Sequence, residues 1–185
     1  MGMAEALIVI DMAEGYMKDT SSSKKVISNI SKLIQAFKKK GNKVILSMPK
    51  FDSKRKNPVM IRLWGEEFKD DPESQKLVKE LSNFKFDKKI EKVEYSGFYK
   101  TDLERYCKKH DITNLYFTGV FSGCCIFFSA VDAAYRMIQP HLVTDASGAP
   151  KGKLINKSWH QDTIKRFKLM IGPAISTKKL IDKMK

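Results

Sequence analysis

The stretch from Asn114 to Ala134, NLYFTGVFSGCCIFFSAVDAA, constrains the fold more than any other part of the chain. An apolar run, Leu115 to Phe117, leads into Gly119 and then into two adjacent cysteines, Cys124 and Cys125. Small and apolar residues follow at helical spacing. The pattern predicts a strand, a tight turn and a helix. It places both cysteines in the first turn of a helix, at the open end of a sheet. Unpaired backbone N–H groups and the positive end of the helix dipole favour a thiolate there. The segment therefore points to a cysteine nucleophile with a lowered pKa.

The rest of the chain repeats the alternation. Ala6 to Ile10, ALIVI, is a continuous apolar run of the kind that suits a parallel strand covered on both faces. Residues 21–39 carry Val26, Ile27, Ile30, Leu33, Ile34 and Phe37 between polar residues, an amphipathic helix ending at Gly41. A strand follows at 43–47. Residues 49–72 are irregular and polar with an apolar island at 59–64, and a connection of that length is expected to line the site. Further helices are expected at 73–81, 101–109, 125–137, 158–167 and 177–184. Thr101 and Glu104 stand at capping-box spacing. Strands are expected at 89–92, 115–118, 141–144 and around Ile175, the one at 141–144 ending at Asp145. This predicts an α/β fold, an open and mostly parallel sheet with helices on both faces, as one domain over 1–185. Ligands of such sheets bind beyond the carboxyl ends of the strands.

Composition narrows the function classes. The formal net charge is +14, but the basic residues are mostly lysines in short clusters such as Lys38-Lys39-Lys40 and Lys54-Arg55-Lys56, which read as solvated faces. No zinc-finger, RNP-like or helix-turn-helix pattern accompanies them, so nucleic acid is not the expected partner. Three cysteines, two of them adjacent, make no disulfide framework, and a reducing, cytoplasmic setting is the expectation. The apolar run near the start is short, ends in Asp11 and lacks a basic flank, so neither a signal peptide nor a membrane anchor is expected. No GxGxxG or GxxxxGK[ST] occurs, and no cofactor is expected.

Asp11, Lys92 and Cys125 each lie at or just beyond the end of a predicted parallel strand. Taken singly, Asp11 also reads as a turn former, Lys92 as one lysine among many, and a free cysteine as a small core residue, which suits Cys124. Together they supply a carboxylate to take a thiol proton, a cation to favour the thiolate, and a nucleophile. Backbone N–H groups of the 120–125 turn are candidates to hold an oxyanion. None of His110, His141 and His160 is placed for a Cys–His pair.

These residues sit in three ordered motifs that resemble the isochorismatase-like cysteine hydrolase superfamily over nearly the whole chain. The motifs are ALIVIDMAEGYM, KVEYSGFYKTDL and GVFSGCCIFFSAVDA, with HLVTDASG downstream. The resemblance implies a three-layer α/β/α hydrolase with catalytic Asp11, Lys92 and Cys125, Tyr95, Ser96 and Phe98 in step, and Ser122 where the family has Thr. It implies a cis peptide at Val120–Phe121, an oxyanion hole at Phe121 and Cys125, and dimers or higher homo-oligomers. Tyr16, Trp64 and Phe121 are candidate walls for a small substrate, and the Phe127-Phe128 pair reads as core or interface.

The departures sharpen the expectation. Ala13-Glu14-Gly15 replaces the family's Gln-Asn-Asp. Nicotinamidases of the family bind a metal through histidines in the region of 48–67, where this chain has none; Glu67 stands where the second histidine would be, and Asp52 and Glu67 are the carboxylates that could hold a hard cation there. The resemblance thus implies a metal-independent hydrolase of a small amide or N-carbamoyl compound, in the manner of N-carbamoylsarcosine amidase. Nicotinamidase and isochorismatase are the alternatives within the family, although isochorismatase cleaves a vinyl ether and needs no cysteine. A catalytically idle scaffold or binding protein is the alternative from another class.

Overall fold

The computed structural model describes residues 4–50, 73–151 and 158–185. Among these, the strands β1 (Ala4–Ile10), β2 (Lys43–Pro49), β3 (Lys88–Lys92), β4 (Ile112–Gly119), β5 (Gln139–Ser147) and β6 (Ala174–Ile175) form one sheet. Their spatial order is β3-β2-β1-β4-β5-β6, and every neighbouring pair is parallel. Parallel neighbours need long crossovers, and helices supply them. The first are α1 (Glu14–Lys18) and α2 (Ser23–Lys39), between β1 and β2. Next come α3 (Lys79–Ser82) ahead of β3 and α4 (Leu103–Lys109) ahead of β4. A single π-helical turn (Ser122–Ile126) runs into α5 (Phe127–Tyr135) before β5. α6 (Trp159–Met170) precedes β6, and α7 (Thr177–Lys183) follows it.

Side chains alternate across a strand, so each strand feeds two cores. Leu7, Val9, Val44 and Leu46 pack on one face against Val26, Ile30, Leu33 and Phe37 of α2 and Leu180 of α7. Ile8, Ile10, Ile45 and Phe117 pack on the other against Leu103 of α4, Ala130 and Ala133 of α5 and Phe167 of α6. Both faces of β1 are covered, and Ala6 to Ile10 are all fully buried. That is why the run is apolar without alternation. The architecture is the expected three-layer α/β/α arrangement. Strand order reverses between β1 and β4, which opens a crevice at their carboxyl ends.

Several local expectations are corrected. Of the helix expected at 73–81 only Lys79–Ser82 forms. The chain before it spends its backbone groups on the segment after β1: Gly15 N donates to Ser74 O, Glu14 N to Lys76 O and Val78 N to Met12 O, at 2.8–3.0 Å. α4 starts later than expected, with Asp102 at its cap. The Thr101 hydroxyl donates to Gly97 O at 2.5 Å and accepts from Leu103 N, while Glu104 turns to Lys108 and Arg136. β5 continues through Asp145, whose Oδ1 accepts from both N and Oγ1 of Thr177 at 2.7 Å. α1 was not anticipated; five residues are too few for a readable period. Trp64, Asp52, Glu67 and the 59–64 island lie outside the described residues.

Candidate active site

The crevice is built by close backbone approach. Gly119 ends β4 at φ 105°, and a Cβ there would stand 2.0 Å from Ile10 O. Val120 N instead donates to Ile10 O at 2.9 Å, drawing the end of β4 onto the end of β1. Asp11 follows β1 in the left-handed region, φ 53°, which Asp tolerates better than most residues. Its N–H donates to Ser47 O of β2 at 2.8 Å. The Val120–Phe121 peptide is cis, as the resemblance implied. The π-turn then carries Cys124 and Cys125; single π-turns of this kind recur at functional sites.

Lys92 is the last residue of β3, two strands from β1, and only a long side chain spans that gap of roughly 10 Å. Its ammonium stands 2.6 Å from Asp11 Oδ2, 3.4 Å from Cys125 Sγ and 3.1 Å from Glu94 O. An ammonium has three protons, and three neighbours face it. Asp11, Lys92 and Cys125, which sequence placed on three separate strand ends, are thus one cluster. Asp11 is 1% exposed and Lys92 4% exposed, so both charges are sealed from water. The Lys92 contact with Asp11 is a close ion pair set off the hydrogen-bond axis. Neither buried Asp11 oxygen has a well-aligned hydrogen bond.

Burial dominates the acid–base behaviour of the cluster. It lifts the Asp11 carboxyl above the usual carboxylate range, more than the adjacent Lys92 charge lowers it. Burial alone would lower the Lys92 ammonium, but the adjacent Asp11 carboxylate first, and the Cys125 contact after it, outweigh it and hold the proton on. Cys125 overturns an expectation. Its thiol is raised, not lowered: desolvation exceeds the pull of Lys92, and Asp11 adds like-charge repulsion. The residue as a whole is half-buried, but its sulfur lies at the enclosed end beside Lys92. Cys124 is buried in the first core, and burial pushes its thiol up to about 11.

Phe121 and Tyr16 meet as one wall, ring centroids 5.8 Å apart. Burial, then the charges of Asp11 and Cys125, raise the Tyr16 phenol, so it stays neutral beside the cluster. Phe127 packs partly into the second core, while Phe128 is 48% exposed and stacks on Tyr95 at 5.3 Å. Sequence reasoning missed His160. It does not meet the thiol, but its Nδ1 lies 2.9 Å from Ser122 Oγ in the cysteine-bearing turn. No spacing marks that contact, because α6 and the turn are far apart in the chain. Among the described residues no group of three or more His, Cys, Asp or Glu stands ready to hold a metal ion. Among the same residues no helix is long and apolar enough to cross a membrane.

Comparison with known proteins agrees with this architecture. The chain is 30% identical over 146 residues to enterobactin synthase component B of Escherichia coli (strain K12). That match covers 76% of this chain and 51% of the relative, so the chain spans about half of that protein. The N-carbamoylsarcosine amidase of Thermoplasma acidophilum superposes with a TM-score of 0.79 at 24% identity, covering 95% of this chain and 97% of that one. A nicotinamidase from Bacillus subtilis superposes with a TM-score of 0.77 at 25% identity, covering 94% and 99%. Residues 5–179 match the isochorismatase domain, and with its parallel sheet, cysteine-bearing turn and cis peptide this chain belongs to the isochorismatase-like cysteine hydrolases.

Proposed function

We propose that the protein hydrolyses the C–N bond of a small amide or N-carbamoyl compound through a Cys125 thioester, without a metal. The observation that carries this reading is the Lys92 ammonium set between the Asp11 carboxylate and the Cys125 sulfur, at 2.6 and 3.4 Å. In the resting site Asp11 is the base, Lys92 is charged and Cys125 is a thiol. Free thiolate is unfavourable there, so proton transfer from Cys125 to Asp11 accompanies attack of sulfur on the carbonyl carbon. A raised carboxyl is a stronger base than an ordinary one, which suits this step. Backbone N–H groups of Phe121 and Cys125 receive the oxyanion. The tetrahedral adduct collapses, and Asp11 returns the proton to the departing amine. Asp11 then takes a proton from water as it attacks the thioester, and the acid leaves while the proton returns to Cys125. Lys92 stays charged throughout and keeps the site near neutral. Tyr16 and Phe121 flank the substrate in this reading, Trp64 is kept as a wall candidate on its place in the sequence alone, and the working form is a homo-oligomer.

The test is an ammonia-release screen of N-carbamoyl amino acids, nicotinamide, pyrazinamide and small ureides, with isochorismate as the non-amide arm. The expected result is turnover of an amide that survives exhaustive chelation and disappears in Cys125→Ala. Turnover of isochorismate alone, or activity lost with a stoichiometric metal, overturns it.

A further inference from the structure

We infer that His160 and Trp159, at the start of α6, are positioning residues that hold the nucleophile turn in its π-helical path. His160 Nε2 lies 2.9 Å from Thr144 O of β5, and Nδ1 lies 2.9 Å from Ser122 Oγ. A carbonyl oxygen only accepts, so Nε2 carries the ring proton and Nδ1 accepts from the Ser122 hydroxyl. The imidazole is a neutral strut with one end on β5 and the other on the turn. Burial keeps it below its ordinary value, more than the Thr144 contact raises it, in keeping with the neutral form. Ser122 is fully buried and its N–H donates to Gly148 O at 2.8 Å. It is therefore held at both amide and hydroxyl, three residues before Cys125.

Trp159 braces the next residue. A Cβ on Gly123 would lie 2.8 Å from Cε2, Cζ2 and Nε1 of the indole, so the ring rests against bare backbone. Two consecutive residues of α6 thus pin two consecutive residues of the turn. The consequence falls on Cys125. A π-turn accommodates one residue more than an α-turn, and a one-residue change of register swings a side chain by about 100°. Pinning the turn keeps the sulfur at Lys92. Release would move it from the cation that favours its ionised form.

This inference rests on Cys125 being the nucleophile, and one experiment separates the two. Iodoacetamide carries a carboxamide and enters the site as a small amide does. Its reaction with the folded full chain near neutral pH is followed by peptide mapping, with the melting temperature measured alongside. Wild type is expected to alkylate at Cys125 ahead of Cys124 and Cys107; if it does not, the nucleophile reading fails and the inference falls with it. Given that result, His160→Phe is expected to slow Cys125 alkylation at least tenfold. Ser122→Ala, which removes one oxygen, is expected to do the same. The double variant is expected to be no slower than either, because both remove one bond. His160→Asn keeps an acceptor near the Nδ1 position and is expected to recover most of the rate. Gly123→Ala, which drives a methyl into Trp159, is expected to slow it as well. Alkylation in Ser122→Ala unchanged or faster, losses that multiply in the double variant, or a lowered melting temperature with an unaltered rate would each overturn the assignment.

Discussion

β3 has a lysine–aspartate pair at each of its ends, and the two behave oppositely. At the amino end, Asp87 meets Lys38 at 2.7 Å and accepts from Val44 N at 2.8 Å through the same oxygen. At the carboxyl end, Lys92 meets Asp11 at 2.6 Å. The distances are nearly equal. The side chains of the first pair are 35% and 26% exposed, those of the second 3% and 1%. Burial is the largest single influence on Asp87 and raises it, but the hydrogen bonds of Lys38 and Val44 and the charges of Lys38 and Lys43 together outweigh it and the carboxyl is lowered. At Asp11 burial wins and the carboxyl is raised. A charge pair in reach of water with its hydrogen bonds completed stabilises the ionised carboxylate. In a sealed pair the loss of water outweighs the partner's charge and leaves the carboxylate ready to accept a proton.

The sharpest way to break this contrast is turnover. Asp11→Asn cannot take the thiol proton and is expected to lower amide hydrolysis by about 10²–10⁴-fold, the usual worth of a general base. Asp87→Asn is expected to stay within about twofold in that framework. Ammonia release from the best substrate of the screen measures both. Comparable rates in the two variants would make Asp11 as structural as Asp87.

Stability separates the pairs next. Lys92→Met strands a buried carboxylate and is expected to cost about 3–5 kcal/mol in urea unfolding, whereas Lys38→Met costs about 0–1. The double variant Asp11→Asn with Lys92→Met is expected to recover much of the loss, since no charge is then left unpaired. Equal costs for the two single lysine variants would abolish the distinction drawn from burial.

A pH series tests the signs. The depressed Asp87 carboxyl contributes stability above its unfolded value, and that contribution is lost as pH falls through the lower folded value. Wild type and Asp87→Asn should therefore differ near neutrality and converge in acid. The raised Asp11 carboxyl has the opposite slope: its ionisation costs the fold stability as pH rises from the ordinary carboxylate range through the raised value. A wild-type advantage over Asp87→Asn that persists in acid contradicts this assignment.

The smallest expected effect concerns Cys124. Its thiol, near 11, is protonated at neutral pH and its side chain is core. Cys124→Ala is expected to leave turnover within about threefold, while Cys125→Ala removes it, because adjacent helical positions point about 100° apart. Loss of turnover in Cys124→Ala with retention in Cys125→Ala would exchange the two residues.

Much of this molecule is readable from local pattern. The ALIVI run, the helix expected over 21–39 and the strand ending at Gly119 follow from apolar spacing and turn residues, so strand ends and a mostly parallel sheet could be inferred. Asp11, Lys92 and Cys125 are marked by their places at those ends. The failures share a cause. The segment at 74–78 is not helical because the chain after β1 claims its backbone groups, and His160 reaches Ser122 only because β5 and α6 bring them together.

The direction of the Cys125 shift was also a tertiary matter. Sequence alone placed a thiol, an ammonium and a carboxylate at strand ends that converge on one face of a mostly parallel sheet. Only the packed structure decided that burial outweighs the cation at that thiol, because desolvation sums over every atom that displaces water and those atoms come from several separate elements.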